Sequence, residues 1–318
     1  MTKEQLSAGL KAICNRQKTD SIETAMRGLC TSLLHRCGEA HAPIGLKKLL
    51  DLLGVKFSWS NDYTSRNRSE RSEALLDTSG GSLLISLKSD LKQNWRRDRF
   101  SIAHELAHAM ILKTLRSPAL IESLDDTDVH LDQLERVCNI GAAEILMPVT
   151  MIRRSIRENT VMGHGLLSMY DEYLVSRDAL IWRLASILPA TSVFRWRYHA
   201  RNPKEETCYR VVACYPSYER NGLRPWLPRG TSVKHVSPDI FSTAEKRDSN
   251  LEFSITLNKK STECEGILTS FPKRAAANDR PLFEGMEISD DSHSNDLILF
   301  ARNKSVARSL WFCNKKTD

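Results

Sequence analysis

One helical segment governs how this sequence can be interpreted, and it reads Arg99-Phe100-Ser101-Ile102-Ala103-His104-Glu105-Leu106-Ala107-His108. Its core is the pattern His-Glu-x-x-His. Residues four positions apart lie on the same face of a helix, so the imidazoles of His104 and His108 can bind one metal ion. The carboxylate of Glu105 can then take a proton from a water molecule that attacks a carbonyl group. The pattern predicts a metal centre with a general base beside it.

The flanks of this pattern predict the helix that it requires. Apolar residues precede and follow it, and we expect a helix over residues 99–112 that ends before Ser117-Pro118. Because the helix is apolar on nearly all sides, it should be largely buried. Two histidines and a glutamate in a buried helix are costly without a partner, and a metal ion would supply one.

A catalytic zinc ion needs a third protein ligand and an open coordination position. A second helix is predicted over residues 131–147. This helix offers Glu135 as a ligand, with Asn139 one turn later to hydrogen-bond an imidazole N–H. Small residues within the run Ile140-Gly141-Ala142-Ala143 would let two helices approach closely enough to share one ion. The alternative third ligands are Glu144, Asp132 and His130.

The remaining pattern predicts an α+β protein with two domains. Apolar residues recur at helical spacing in residues 1–53 and 149–188, and residues 42–55 read as one helix that stops at Gly54. Strands are expected at residues 55–59, 75–77, 82–87, 193–198, 209–215, 251–257 and 297–301. We place a mainly helical domain with a small N-terminal sheet at residues 1–189, including the helical segment 150–189. A strand-rich α/β C-terminal domain follows at residues 190–318.

The segment 113–130 is long for a connection within a compact domain, and it is acidic. Our hypothesis is that this segment lies over the metal cleft and limits access to it.

The bulk composition indicates a soluble protein of the cytoplasm. Neither a transmembrane-length apolar stretch nor an N-terminal signal sequence is visible, so we expect no membrane association. The eight cysteines are scattered without a C-x-x-C pair, which argues against a thiolate zinc site. The net charge is +7 and the sequence pI about 9.0, with the basic residues spread along the chain. Charge alone is therefore a weak indication of nucleic-acid binding.

These motifs resemble the ImmA/IrrE family of metallopeptidases. The family pattern R-F-[ST]-x-A-H-E-[LI]-x-H matches residues 99–108, and E-x-x-[AC]-N-x-x-A-A-x-[LI]-L-M-P matches residues 135–148. Residues 175–184 are similar to the family segment V-S-x-x-A-x-x-x-R-L. The likeness spans roughly residues 20–188 and does not cover residues 190–318.

The resemblance implies a gluzincin-like fold with zinc bound by His104, His108 and Glu135. It also implies a protein substrate, namely a helix-turn-helix transcriptional repressor whose cleavage relieves repression under stress or on induction of a mobile element. Some members carry a GAF-like sensor domain after the peptidase, and residues 190–318 fit one by position and strand content. The transition-state donor in such peptidases is usually a tyrosine or histidine, for which the candidates here are His164, Tyr170 and Tyr173.

Two other functions remain open on the sequence. The first is a non-catalytic regulator that uses the same fold to hold a partner or a toxin. Such a binder has no need of a general base, so the presence of Glu105 favours the peptidase. The second is a DNA-binding regulator whose helices lie within residues 166–187, with Arg177 and Arg183 facing phosphate.

Overall fold

The computed structural model describes residues 3–60, 74–77, 82–88, 95–115, 128–158, 163–188, 191–199, 208–215, 225, 227, 229–231, 249–257, 260–270 and 297–303. Its helices are α1 (Lys3–Arg16), α2 (Ile22–Arg36), α3 (Leu46–Leu53), α4 (Trp95–Leu115), α5 (Asp128–Leu146), α6 (Val149–Glu158), α7 (Gly163–Tyr173) and α8 (Arg177–Ile187). Its strands are β1 (Val55–Ser60), β2 (Ala74–Asp77), β3 (Leu83–Lys88), β4 (Thr191–His199), β5 (Cys208–Tyr215), β6 (Ser249–Leu257), β7 (Lys260–Ser270) and β8 (Leu297–Asn303). The predicted α+β class is confirmed.

Helix α3 is shorter than the sequence pattern suggested. The prediction began this helix at residue 42, whereas the first helical residue is Leu46. Gly45 is still extended, with φ −79° and ψ 92°, and its N–H donates to the Glu39 carboxylate at 3.1 Å. That side-chain bond satisfies a backbone donor outside the helix, so the chain turns into α3 only after Gly45. The predicted stop is confirmed, since Gly54 closes the helix in the left-handed conformation at φ 58°.

The N-terminal sheet has three strands in the order β1-β3-β2. Strand β3 is central, pairing in parallel with β1 and antiparallel with β2. Ile85 and Leu87 of β3 are fully buried, which anchors the strand in the core. The prediction of three short strands in this region is therefore confirmed, and each predicted strand end lies within one residue of the observed end.

Helices α4 and α5 form the centre of the N-terminal part of the molecule. Both helices begin earlier than predicted: α4 starts at Trp95 where residue 99 was expected, and α5 starts at Asp128 where residue 131 was expected. Ala107 of α4 and Gly141 of α5 meet where the two helices pack. Residues 116–127, which make up most of the connection predicted to cover the metal cleft, lie outside the described residues, and that hypothesis stays a prediction.

The C-terminal sheet has five antiparallel strands in the order β5-β4-β8-β7-β6. Four of them were predicted, but β7 was missed although it lies inside the sheet between β6 and β8. Its sequence, KSTECEGILTS, contains two glutamates and a glycine, which weaken a strand pattern based on apolar alternation. Backbone pairing with β6 on one side and β8 on the other stabilises β7 in spite of that composition.

The chain divides into two compact units by its internal contacts. One contains α1 to α5 and the three-stranded sheet, and the other contains most of α6 and α7, all of α8 and the five-stranded sheet. Helix α8 belongs with that sheet because it packs against β4 and β5. The main division between the two units thus falls near residue 151. The domain limits 1–189 and 190–318 stay predictions. The GAF-like character of the second domain also stays a prediction. Within the described ranges, no helix combines the length and the apolar character needed to span a membrane.

Candidate metal centre

Three side chains converge where α4 and α5 face each other. The Nε2 atoms of His104 and His108 lie 3.1 Å apart. The two carboxylate oxygens of Glu135 approach these nitrogens at 3.0 Å for His104 and 3.4 Å for His108. Four-residue spacing on α4 places both imidazoles on one face, and α5 brings the carboxylate to that face. All three potential ligand atoms lie within 4.8 Å of one another.

Asn139 fixes the orientation of the first imidazole. The Nδ1 atom of His104 lies 3.0 Å from Oδ1 of Asn139. A carboxamide oxygen only accepts hydrogen bonds, so Nδ1 of His104 is the donor and carries a proton. In the neutral imidazole, Nε2 then presents its lone pair toward Glu135 and His108. This is the arrangement that a histidine ligand requires.

The geometry of the three ligand atoms fits a divalent cation. Two ring nitrogens and a carboxylate at 3.0–3.4 Å place electron-rich atoms side by side, which is unfavourable unless a cation or protons lie between them. Zinc bonds of about 2.0–2.1 Å in a tetrahedral site separate neighbouring ligands by about 3.3 Å. Burial raises the pKa of the Glu135 carboxyl, but hydrogen bonds with His104 and His108 outweigh burial and hold the pKa well below its usual range. Glu135 is therefore available as an ionised ligand.

The site is closed on one side and open on the other. The His108 side chain is 5% exposed and the His104 side chain 14%, whereas that of Glu135 is 40% exposed. Solvent thus reaches the ligand cluster from the α5 side. A centre with three protein ligands and one open direction leaves a coordination position for a substrate, as catalytic zinc sites do.

Glu105 is buried beside the ligands but has an unsatisfied oxygen. The residue is 6% exposed, and its Oε2 atom is buried without a hydrogen-bond partner. A buried carboxylate oxygen without a partner carries a desolvation penalty, and such groups persist where they serve a function. Glu105 directly follows the ligand residue His104 on α4, which places its carboxylate close to the ligand cluster, where a general base has to lie.

The alternative third ligands have other positions in the structure. Glu144 is buried, and its Oε1 accepts a hydrogen bond from the backbone N–H of Val149 at 3.0 Å. It therefore caps the start of α6. Asp132 lies on the solvent side of α5, and the side chain of His130 is outside the described residues. Among the described alternatives, Glu135 is the carboxylate that reaches both histidines.

The candidates for a transition-state donor all lie on α7. The His164 side chain is exposed, whereas Tyr170 and Tyr173 are buried at 6% and 0% exposure. Their assignment to the reaction stays a prediction.

The arginines proposed to face DNA are buried. Arg183 is 0% exposed and Arg177 is 9% exposed. A guanidinium group must reach the surface to contact a phosphate backbone, so the placement of these two side chains against DNA is wrong for this conformation. Both face inward because α8 packs against the five-stranded sheet.

Arg99 is a buried charged residue whose packing role the sequence analysis did not predict. It is 3% exposed, and its Nη2 donates to the carbonyl oxygen of Ile44 at 3.0 Å. Burial and the nearby charge of Arg96 lower its pKa to about 10. Arg99 thereby ties the N-terminal part of α4 to the chain before α3. The signal in the sequence was its place in the family motif, although motif membership alone does not distinguish a buried arginine from an exposed one.

A helix-borne His-Glu-x-x-His pattern, joined by a glutamate from a second helix, defines a metallopeptidase-type metal centre. Residues 68–184 match the family model described as the IrrE N-terminal-like domain, which is a peptidase family. Over these residues the chain is therefore similar to the ImmA/IrrE family of metallopeptidases, the family that its motifs resemble.

Two curated relatives are radiation response metalloproteases named IrrE. The protein from Deinococcus radiodurans is 25% identical over 160 residues, which cover 46% of this chain and 48% of the relative. The protein from Deinococcus deserti is 33% identical over 93 residues, which cover 28% of this chain and 32% of the relative. The chain thus spans at most about half the length of these relatives.

One solved structure is similar over most of the chain. A Mycobacterium tuberculosis transcriptional regulator matches 94% of this chain and 94% of its own, with a TM-score of 0.46 and 10% identity.

Proposed function

We propose that this protein is a zinc-dependent endopeptidase of the cytoplasm that cleaves a helix-turn-helix transcriptional repressor. One observation carries the proposal. The ligand atoms of His104, His108 and Glu135 converge within 4.8 Å, and the buried carboxylate of Glu105 beside them has an oxygen without a partner. A non-catalytic metal site needs the three ligands but has no use for the fourth group.

Each residue has a distinct task in this proposal. His104, His108 and Glu135 hold the ion, and Asn139 keeps the proton of His104 on Nδ1 so that Nε2 remains a ligand. A bound zinc ion would act as a Lewis acid toward the carbonyl group of the scissile peptide bond. The opening at Glu135 gives an extended peptide access to the cluster.

Glu105 performs the proton transfers. Its unpartnered Oε2 accepts a proton from the attacking water as the new C–O bond forms. The carboxylic acid then gives that proton to the leaving amine as the C–N bond breaks, which returns Glu105 to its ionised state. Burial strengthens the interaction of this carboxylate with its surroundings because little water competes for it.

The choice of substrate is supported by family resemblance. The curated relatives are named for a radiation response, and the family resemblance implies relief of transcriptional repression under stress. A repressor substrate is accordingly the class to test first.

Metal content tests the centre itself. We expect about one zinc ion per chain in the wild type and in Glu105→Gln, and loss of zinc in His104→Ala and Glu135→Ala. Asp132→Ala is the matched control, because it removes an exposed carboxylate from the same helix. A wild-type protein that binds no zinc when zinc is supplied would exclude the peptidase.

Cleavage tests the activity. Candidate repressors are incubated with zinc-loaded wild type and with Glu105→Gln, and the products are identified by mass spectrometry. The proposal expects one or a few defined cuts by the wild type and almost none by Glu105→Gln. Tight repressor binding that is the same in both proteins, without cleavage, would support the partner-binding regulator instead.

A further inference from the structure

Helix α2 lies outside the segment that matches the peptidase family model, which covers residues 68–184. It nevertheless contacts α5, the helix that carries Glu135 and Asn139, at several points. Arg136 of α5 donates to the Glu23 carboxylate at 3.2 Å, and the buried Glu144 carboxylate lies 4.0 Å from Nε of Arg27. The thiol of Cys30 donates to the carbonyl oxygen of Gly141 at 3.6 Å.

Gly141 lies at the point where three helices meet. A Cβ atom at this position would lie 2.4 Å from Cε of Met26 on α2 and 2.8 Å from Cβ of Ala107 on α4. Met26 and Ala107 are both fully buried. Carbon atoms pack at about 3.5–4.0 Å. The Cε end of Met26 can shift within its side chain, but the Cβ of Ala107 cannot turn away, so a methyl group at residue 141 would push α4 and α5 apart by roughly 1 Å.

The same crossing point sets the spacing of the metal ligands. Ala107 immediately precedes His108 on α4, and Gly141 closely follows Asn139 on α5. Any change in the separation of α4 and α5 here must change the distance from Glu135 to the two imidazoles. These distances are 3.0 and 3.4 Å, which leaves little tolerance for a shift of roughly 1 Å.

We propose that Gly141 and Met26 are positioning residues of the metal centre, and that α2 is a structural part of that centre because Met26 holds α5 against α4. The inference rests on the metal site of the proposed function but not on its catalytic activity. Neither residue belongs to the ligand group His104, His108 and Glu135. They act through the position of α5, and hence through the approach of Glu135 and the hydrogen bond of Asn139 to His104.

The test measures zinc affinity by competition with a chromophoric chelator, together with the thermal unfolding of the zinc-free protein. Gly141→Ala is expected to weaken zinc binding by about 10- to 100-fold, the range found when groups that orient metal ligands are changed. The zinc-free protein should still unfold cooperatively.

Gly28→Ala is the matched control, because it adds the same methyl group to a glycine on α2. A Cβ atom there meets only the flexible end of the Gln17 side chain, at 2.6 Å from Oε1, and that end can turn away. Zinc affinity should stay within about twofold of the wild type, since the ligand helices are not displaced.

A compensating variant separates positioning from general damage. In the double variant Ala107→Gly with Gly141→Ala, the methyl group moves from α4 to α5 across the same gap. At least a fivefold recovery of zinc affinity over Gly141→Ala is expected, because the 2.8 Å contact is relieved. A purely structural defect in α5 would not be repaired by a change in α4.

Met26→Ala provides a second route if Gly141→Ala does not fold. It removes the side chain that backs α5 and should weaken zinc binding about three- to tenfold. Thr31→Ala is the control, since Thr31 is exposed on the same helix.

The inference is overturned if folded Gly141→Ala or Met26→Ala binds zinc like the wild type, or if the double variant recovers nothing. In these outcomes the wild type still binds zinc, and the proposed function is untouched. Failure of the wild type to bind zinc at all would instead contradict the metal centre itself.

Discussion

The helix pair α4–α5 and the five-stranded sheet bury different kinds of polar group. The helix pair buries charged or ionisable side chains, among them Asp98, Arg99, Glu105, His108 and Glu144. Among the strand residues of the sheet whose side-chain burial the structure describes, the buried polar side chains are the hydroxyls of Thr191, Ser192 and Thr269. Burying a charge costs far more than burying a hydroxyl, and it is maintained where partners or a function offset that cost. The difference indicates that the helix pair carries the chemistry, whereas the sheet core is built mainly from apolar packing.

The largest expected effect is on catalysis at the helix pair. Glu105→Gln should lower the rate of peptide cleavage by about 10²–10⁴, the range for loss of a general base. Zinc content should be unchanged, because Glu105 is not among the converging ligand atoms. The measurement is kcat on a cleaved repressor beside metal analysis of the same preparation. A Glu105→Gln protein that retains wild-type kcat would refute the role of Glu105.

A substitution in the core of the five-stranded sheet should lower the stability of the protein without changing its zinc affinity. Phe300 is fully buried on β8, and Phe300→Ala should reduce the free energy of unfolding by about 3–5 kcal/mol through lost burial and a cavity. Zinc affinity should be the same as in the wild type, because Phe300 lies outside the unit that holds the metal ligands. Urea unfolding and zinc titration check the two parts. If Phe300→Ala also lost zinc affinity, the separation of roles between the helix pair and the five-stranded sheet would be wrong.

Asn139 offers an intermediate effect within the helix pair. Asn139→Ala removes the acceptor that holds the proton of His104 on Nδ1, and zinc affinity should fall by about 10- to 100-fold. Asn139→Asp keeps an acceptor at this position and should bind zinc more tightly than Asn139→Ala. Both affinities can be measured by chelator competition. Equal zinc binding by the wild type and Asn139→Ala would remove Asn139 from the centre.

The smallest expected effect is a pH dependence in the second compact unit. Burial, the charge of Asp178 and a hydrogen bond with it raise the pKa of Tyr215 to about 12, so the folded protein favours the neutral phenol. The resulting stabilisation is fully present below the ordinary tyrosine pKa of about 10 and is lost as the pH rises through about 12. The stability of Tyr215→Phe should fall less than that of the wild type over this interval. Identical pH profiles in thermal unfolding would contradict the prediction.

Local patterns along the chain were sufficient for much of this protein. Four-residue spacing put His104 and His108 on one face of α4, and apolar flanks predicted its burial, because both properties depend on neighbouring residues alone. The class of the fold and most of the strands followed from the same kind of pattern. Strand β7 did not, because it owes its formation to hydrogen bonds with β6 and β8 on either side rather than to its own composition.

The tertiary structure decided what depends on residues distant in sequence. It selected Glu135 as the carboxylate at the histidines and placed Glu144 at the start of α6, although both were acceptable as ligands along the chain. It also turned Arg183 inward, because the packing of α8 on the sheet sets which side of that helix is buried. The sequence by itself determined which side chains could bind a metal, since that depends on residue type and helical period. Only the approach of α5 to α4 at Gly141 determined which of them share a site, because contact between helices depends on their packing in space.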